Sequence, residues 1–338
     1  MKAIQVHPGK PLQQALELYE ANTPVAGNDQ VLVRMRAASL NFRDLIVAQG
    51  AYAGIKKGNA LIPLSDGAGE VVATGNGVTR WKPGDRVVAS FFQDWLDGQF
   101  QSAHMQSALG GGIDGVLAEY RVFAQSALAR IPAHLSFEQA ATLPCAALTA
   151  WHALFERAPL LPGETVLILG TGGVSVFALQ LARSAGANVI ATSSSDKKLE
   201  RIAALGASGL VNYRKQPQWD EAVLDLTHGR GVDQVIEVGG AGTFPRSLAA
   251  ARTGGRISLI GRLTGIDDRI DPRPIMAKSL NVYGIYVGSV AMLERMMRGI
   301  ETSGLVPIID RNFTIDQASD AYAHLESGKH FGKVVITI

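Results

Sequence analysis

The amino-acid sequence predicts an α/β protein: a β-rich first third, then a doubly wound parallel sheet with helices on both faces. Three observations carry this reading. Short β-branched runs separated by turn residues fill the first third. Apolar strands and amphipathic helices alternate from about Ser136 to Ile285. Within that alternation a glycine-rich turn, Gly170-Thr171-Gly172-Gly173-Val174-Ser175, joins a strand to a helix.

In chain order, strands are expected at Ala3–Val6, Val31–Ala37, Gly69–Ala73, Arg86–Ala89 and Ala118–Phe123. Gly75-Asn76-Gly77 and Lys82-Pro83-Gly84-Asp85 mark turns between them. One helix, Asn41–Gln49, interrupts the series and ends at Gly50. Ser136 is placed to cap a helix that opens the second part. There Val166–Leu169, Val189–Ala191, Leu210–Asn212, Val232–Val238, Gly255–Ile260 and Val282–Ile285 read as strands. Helices at Lys197–Leu205, Trp219–Leu226 and Thr243–Ala251 separate several of them. A helix Val290–Ser303, a short strand, a helix Asp316–Glu326 and a strand Gly332–Ile338 close the chain. The last strand is expected to return to the first domain. The domains are therefore drawn as 1–145 with 289–338, and 146–288.

The 338 residues suffice for two buried cores, and 47% hydrophobic with 18% charged residues describes a compact chain. A net charge of +2 with interspersed signs forms no basic stripe, so no nucleic-acid partner is expected. Cys145 is the single cysteine, which excludes an internal disulfide and fits a reducing compartment. MKAIQVHPGKP lacks a signal-peptide core and no apolar run is long enough for a bilayer, so a cytoplasmic protein without membrane partners is expected.

The glycine turn implies dinucleotide binding. Gly170 permits the tight turn, Gly172 lets backbone approach a pyrophosphate, and the helix beginning at Gly173 and Val174 offers unpaired N–H groups. Ser175 stands where a third glycine is usual. After the next strand an NAD site usually presents a carboxylate to the adenosine ribose. Here the sequence reads Thr192-Ser193-Ser194-Ser195, and the first acid is Asp196. Ser193 and Ser194 hydroxyls suit a 2′-phosphate, and Lys198 adds charge, so NADPH is expected over NADH. Lys198 on a solvated face, with Ser195 or Asp196 as a helix cap, is the plainer alternative.

LNFRDLIVAQGAY, PLSDGAGEVVATG, WKPGDRV, DGVLAEY, LPCAALTAWHAL, PGETVLILGTGGVS, GVDQVIEVGG and GKVVITI occur in this order. Over nearly its whole length the chain resembles the medium-chain dehydrogenase/reductase superfamily. The nearest branch is the zinc-independent quinone oxidoreductases and enoyl reductases, often labelled zinc-type alcohol dehydrogenase-like. The resemblance implies a GroES-like catalytic domain plus a Rossmann domain, and a homodimer formed through the strand near Val282–Tyr286. Its catalytic zinc positions fall at Asn41, at Ser65 followed by Asp66, and at Cys145. Catalytic zinc needs three protein ligands and an open position. One thiol cannot supply them, and Gln93–Gly112, matching the structural zinc lobe, has no cysteine. No metal is expected.

Two catalytic candidates follow from the resemblance. Asn41 could hydrogen-bond a substrate carbonyl or the nicotinamide ribose, and Tyr52 matches a tyrosine used as proton donor. Their plainer roles are capping a helix and packing a loop. Ser193, Lys198 and Tyr213 match positions that contact the 2′-phosphate. Thr149, Val238, Gly239, Gly240, Ile260, Gly261 and Arg262, with Phe331, Gly332 and Lys333 near the tail, match positions around the nicotinamide. The segment Phe91–Leu96 is either a substrate-facing wall or a packed loop. The expected activity is NADPH-dependent hydride transfer to a small-molecule enone, enoyl compound or quinone without a catalytic metal. An alcohol dehydrogenase, or a cofactor-binding protein with little turnover, are the alternatives.

Overall fold

The computed structural model describes residues 1–52, 59–157, 159–265 and 270–338. They form two compact units, Met1–Leu148 with Val287–Ile338, and Thr149–Tyr286. In chain order the strands are β1 (Lys2–Val6), β2 (Leu16–Glu20), β3 (Gln30–Ser39), β4 (Asp66–Thr74), β5 (Arg86–Ala89), β6 (Tyr120–Ala124), β7 (Leu128–Arg130), β8 (Thr165–Leu169), β9 (Asn188–Ser193), β10 (Gly209–Asn212), β11 (Val232–Glu237), β12 (Ala251–Leu259), β13 (Asn281–Gly284), β14 (Ile309–Thr314) and β15 (Lys333–Thr337).

The first unit is built around β3. Its buried residues alternate through Val31, Val33 and Met35, the mark of a strand with one face on a core. β3 pairs antiparallel with β4, β6 and β15, inside a seven-stranded sheet that also holds β5, β7 and β14. Val71, Val87, Val334, Ile336 and Tyr322 complete that core. Burying each aliphatic side chain stabilises by roughly 1.5–3 kcal/mol. Gly69 is forced by proximity: a Cβ there would stand 2.3 Å from the Arg34 carbonyl oxygen. β1 and β2 form a separate antiparallel pair. β2 escapes sequence pattern reading because it is mostly exposed and shows no buried alternation.

The register of β3 decides what meets at its end. Ser39 lies opposite Asp66 of β4 on one side and Val335 of β15 on the other. The ladder continues with Leu40 N–H donating to the Val334 carbonyl at 3.0 Å. One residue further, Asn41 starts the helix Phe42–Ala48. Asn41, Asp66 and Lys333 are thus gathered at one edge of the sheet by strand pairing.

The second unit is a six-stranded parallel sheet in the order β10-β9-β8-β11-β12-β13. This is the doubly wound arrangement whose strand order reverses between β8 and β11. β11 is buried along its whole length, as a strand covered on both faces must be. The helix Gly173–Ser184 covers the sheet with Val176, Phe177, Ala178 and Leu181. β10 and β13 are its edge strands. At the N-terminal end of β11, burial raises the carboxyl of Asp233. Hydrogen bonds from Arg230, the Thr165 N–H and Arg252 outweigh that effect and hold it at about 2.

From Leu143 to Glu156 the backbone departs from a regular helix. It widens into π turns at Leu143–Ala147 and His152–Glu156, flanking the short helix Leu148–Trp151. Phe91, Phe92 and Trp95 are buried and pack with Phe100 and His104, Trp95 stacking on the His104 ring at 5.7 Å. Of the two readings for Phe91–Leu96, the structure supports the packed loop. Among the described residues no helix is long and apolar enough to cross a membrane.

Candidate functional site

In the second unit the turn after β8 fits a dinucleotide. Gly170 has φ +73°, and Gly172 caps the helix start with no side-chain hydrogen bond. A Cβ on Gly170 or Gly172 would meet nothing within 4 Å, so the backbone is open to a ligand. The first N–H groups of the helix, from Gly173 and Val174 onward, have no carbonyl a turn earlier to bind, as required to hold a pyrophosphate. Ser175 donates its hydroxyl to the Leu169 carbonyl at 2.7 Å and ties helix to strand. It does by a hydrogen bond what a third glycine does by close packing.

At the end of β9, Ser193 is buried and its hydroxyl accepts the Ser195 N–H at 3.3 Å. Ser194 and Lys198 are half-buried and Tyr213 is exposed beyond β10. Ser195 caps the next helix, accepting the Lys198 N–H. The Asp196 carboxylate is engaged by Lys215 and by Asn212, each at 2.7 Å. These hydrogen bonds hold its carboxyl below the usual range. The first acid after the serines is thus held in an exposed ion pair.

Across the switch point, Val238, Gly239 and Gly240 follow β11. Sequence reading missed the residue that shapes this loop, Glu237. Its fully buried carboxylate accepts Gly239 N–H at 2.7 Å, Gly240 N–H at 3.0 Å, Thr243 Oγ1–H at 2.7 Å and the Ser247 hydroxyl. Thr264 Oγ1 donates to the Gly239 carbonyl at 2.9 Å. Ile260 and Gly261 are half-buried at the end of β12, and Arg262 is exposed. Thr149 is buried at the start of this unit.

Phe331, Gly332 and Lys333 belong to the first unit, where β15 begins. Lys333 is 2% exposed, and its ammonium donates to the Leu40 carbonyl at 2.5 Å and to Asn41 Oδ1 at 2.6 Å. It stands 4.0 Å from Asp66 Oδ2. Burial pulls the ammonium below the usual lysine range, while Asp66, Cys145 and Asp44 act to keep it charged. Asp66, fully buried, accepts the Ser65 hydroxyl at 2.6 Å and the Cys145 N–H at 3.1 Å. Asn41 Nδ2 faces Asp66 closely enough to favour its charged form, yet reaches no hydrogen-bond partner among the described residues.

Asn41 also begins the helix Phe42–Ala48, its N–H donating to Asp44 Oδ2 at 2.7 Å. The Arg43 guanidinium lies 4.5 Å over the Tyr52 ring and 4.8 Å over Phe91, and donates to the Leu109 carbonyl at 2.9 Å. The structure thus brings Asn41 and Tyr52 into one buried polar neighbourhood with Arg43, Asp44, Asp66 and Lys333. Lys333 had a legible signal: it opens an otherwise apolar strand, and a buried charge there must find a partner.

Zinc does not fit this donor set. Asn41 Oδ1 faces an ammonium, and the Ser65 hydroxyl is given to Asp66. Burial, with Asp66 adding, pushes the Cys145 thiol well above the usual thiol range. Among the described residues no group of three or more His, Cys, Asp or Glu could hold a metal ion.

Comparison with known proteins agrees with this architecture. The alcohol dehydrogenase GroES-like domain family matches residues 27–133, and the zinc-binding dehydrogenase family matches 173–302. A zinc-type alcohol dehydrogenase-like protein of Schizosaccharomyces pombe is 45% identical over 91% of both chains. The crystal structure of a putative alcohol dehydrogenase from Sinorhizobium meliloti superposes with a TM-score of 0.92 at 40% identity, covering 100% of this chain and 99% of that one. A 2-octenoyl-CoA carboxylase reductase, solved with NADP and 2-octenoyl-CoA, gives 0.87 at 27% identity, covering 99% and 87%. With a GroES-like unit, a Rossmann unit and relatives of this kind, the chain belongs to the medium-chain dehydrogenase/reductase superfamily of NAD(P)H-dependent oxidoreductases.

Proposed function

We propose that this chain is an NADPH-dependent reductase of electron-poor double bonds, acting on enones, enoyl thioesters or quinones without a catalytic metal. The observation that carries the reading is the Asn41 amide, 9% exposed, with its oxygen bound to Lys333 and its nitrogen, on the side of Asp66, in no hydrogen bond among the described residues. A buried N–H donor of this kind stabilises charge that develops on a carbonyl oxygen when hydride adds to the β carbon. When bound, NADPH supplies that hydride. Tyr52 then gives its phenolic proton to the α carbon, or to oxygen for a quinone, and regains one from solvent. Arg43, stacked on the Tyr52 ring, fixes where that phenol stands.

NADPH is favoured over NADH by the hydroxyls of Ser193 and Ser194, the charge of Lys198 and the nearby Tyr213. Lys215, paired with Asp196, offsets that acid's repulsion of a 2′-phosphate. The relative solved with NADP and 2-octenoyl-CoA supports both the cofactor and an enoyl substrate. Among the described residues β13 has no strand on its outer side, which supports a homodimer through it.

The deciding experiment follows NADPH oxidation by chelator-treated protein across enones, enoyl thioesters and quinones. Turnover of at least one class is expected, with NADPH preferred at least tenfold to NADH in kcat/KM. Equal use of both cofactors would remove the cofactor assignment, and activity appearing only on adding zinc would remove the metal-free mechanism. Tyr52→Phe is expected to lower kcat by about a hundredfold, the range of a lost general acid. Unchanged enone reduction by that variant would leave water as the proton source.

A further inference from the structure

We infer, resting on the NADPH preference proposed above, that Asn212 is a positioning residue that favours NADPH over NADH without touching the cofactor. It closes a clasp between the turn after β10 and the start of the helix Asp196–Ala204. Asn212 is the last residue of β10 and lies opposite Ser193 at the end of β9. Its amide is engaged at both ends. Nδ2 donates to Asp196 Oδ1 at 2.7 Å, and Oδ1 accepts the Arg214 N–H at 3.0 Å. A carboxylate only accepts and a backbone N–H only donates, so the two ends of the amide cannot be exchanged. The Asn212 carbonyl accepts the N–H groups of Lys215 at 3.0 Å and Gln216 at 2.8 Å, which bends the chain back over the strand end.

These bonds shape the turn that carries Tyr213, one of the residues expected at the 2′-phosphate. Tyr213 N–H donates to the Ser193 carbonyl at 3.1 Å, which joins the turn to the serine edge. Ser193 Oγ accepts the Ser195 N–H at 3.3 Å and keeps its own proton for another acceptor. Asp196 belongs to the same clasp, its carboxylate held on the turn's side by Asn212 and Lys215. The Lys215 pair is exposed on both partners, and the geometry such pairs impose is weak. Asn212 adds a charge-assisted hydrogen bond from a short side chain at a strand end. Without that amide, Asp196 Oδ1 and the Arg214 N–H lose their partner, and only its backbone holds Tyr213 beside Ser193. NADPH and NADH differ by the 2′-phosphate alone, so a turn that serves this group affects one cofactor and spares the other.

The test measures Kd for NADPH and for NADH by nicotinamide fluorescence on the full chain. It compares the parent, Asn212→Ala, Asn212→Asp and the exchange that combines Asn212→Asp with Asp196→Asn. Asn212→Ala is expected to weaken NADPH about tenfold, the size of one hydrogen bond to a charged group, and to leave NADH within about twofold of the parent. Asn212→Asp sets two carboxylates face to face and is expected to weaken NADPH at least as much. In the exchange the amide and the carboxylate change places while the local charge stays the same. It is expected to bring the NADPH Kd back to within about threefold of the parent, the non-additivity of two residues in contact. A fall in both affinities together overturns the inference, because a merely structural role weakens both cofactors. So does an unchanged ratio of NADPH to NADH affinity in Asn212→Ala, or an exchange as weak as Asn212→Asp alone. A parent that binds NADPH and NADH equally overturns the cofactor assignment and the inference with it. A parent that prefers NADPH, with the preference intact in Asn212→Ala, overturns the inference alone.

Discussion

Glu237→Leu is expected to lower the melting temperature by about 10 °C, the equivalent of about 4 kcal/mol. The carboxylate is fully buried and takes hydrogen bonds from Gly239, Gly240, Thr243 and Ser247. Leucine fills much of the same space but strands those donors, and each buried donor left unmatched costs about 1–3 kcal/mol. Glu237→Gln separates shape from hydrogen bonding. Its one oxygen can keep the bonds to Gly239, Gly240 and Thr243, and its NH2 can donate to Ser247, so a loss of only about 1 kcal/mol is expected. Because the loop carries the predicted cofactor residues Val238, Gly239 and Gly240, NADPH affinity should fall with Leu and survive with Gln. Calorimetry and fluorescence titration read the two effects. Equal melting temperatures for Leu and Gln would mean that the loop does not depend on this carboxylate.

Asp44→Asn is expected to change how stability depends on pH. Burial pushes the Asp44 carboxyl up to about 6; Arg43 and the Asn41 N–H pull it down, Asp66 pushes it up and Lys333 pulls it down again. The folded state therefore binds a proton between about pH 4 and pH 6 that the unfolded chain has already released. Stability falls as pH rises through that window, by about 3 kcal/mol for a shift of this size. Asparagine cannot titrate, yet its oxygen can still accept the Asn41 N–H. Relative to the parent, the variant should gain about that amount between pH 4 and pH 7 in urea unfolding. A constant difference between the two proteins across that range would show that Asp44 titrates as an ordinary carboxylate.

The sequence was most informative where one physical rule acts alone. The strand β8 holds an apolar run, Val166–Leu169, that stops at Gly170, and the helix Val290–Ser303 has a capping serine at one end and Gly304 in the left-handed region at the other. Ser136 caps its helix, its hydroxyl accepting the Gln139 N–H at 3.2 Å. Reading failed where tertiary contacts override pattern. β2 is a mostly exposed strand that exists because β1 pairs with it, and β7 is too short to show any period. The π turns at Leu143–Ala147 and His152–Glu156 follow from no local propensity.

The candidate site divides in the same way. The dinucleotide turn is local, since one glycine run supplies both the bend and the open backbone, and it could be read directly. Glu237, Asp66 and Lys333 act on partners supplied by other elements or by their own loop. Each stands at the end of its strand, and only Lys333 heads an otherwise apolar run. That a charge such as Lys333 must be matched was legible; that its match is Asn41, 292 positions earlier, required the register of β15 on β3.

That pairing sets an order of assembly. The second unit is one continuous stretch of chain, Thr149–Tyr286, and can close as soon as it leaves the ribosome. The first unit holds Met1–Leu148 yet is completed by Lys333–Thr337, so its central sheet waits until the whole of the second unit has been synthesised. Until then Asp66 and Asn41 lack their cation, and the end of β3 that pairs with β15 is an open edge of the kind other strands can join. Met1–Leu148 is translated before the second unit and gains its last strand after it.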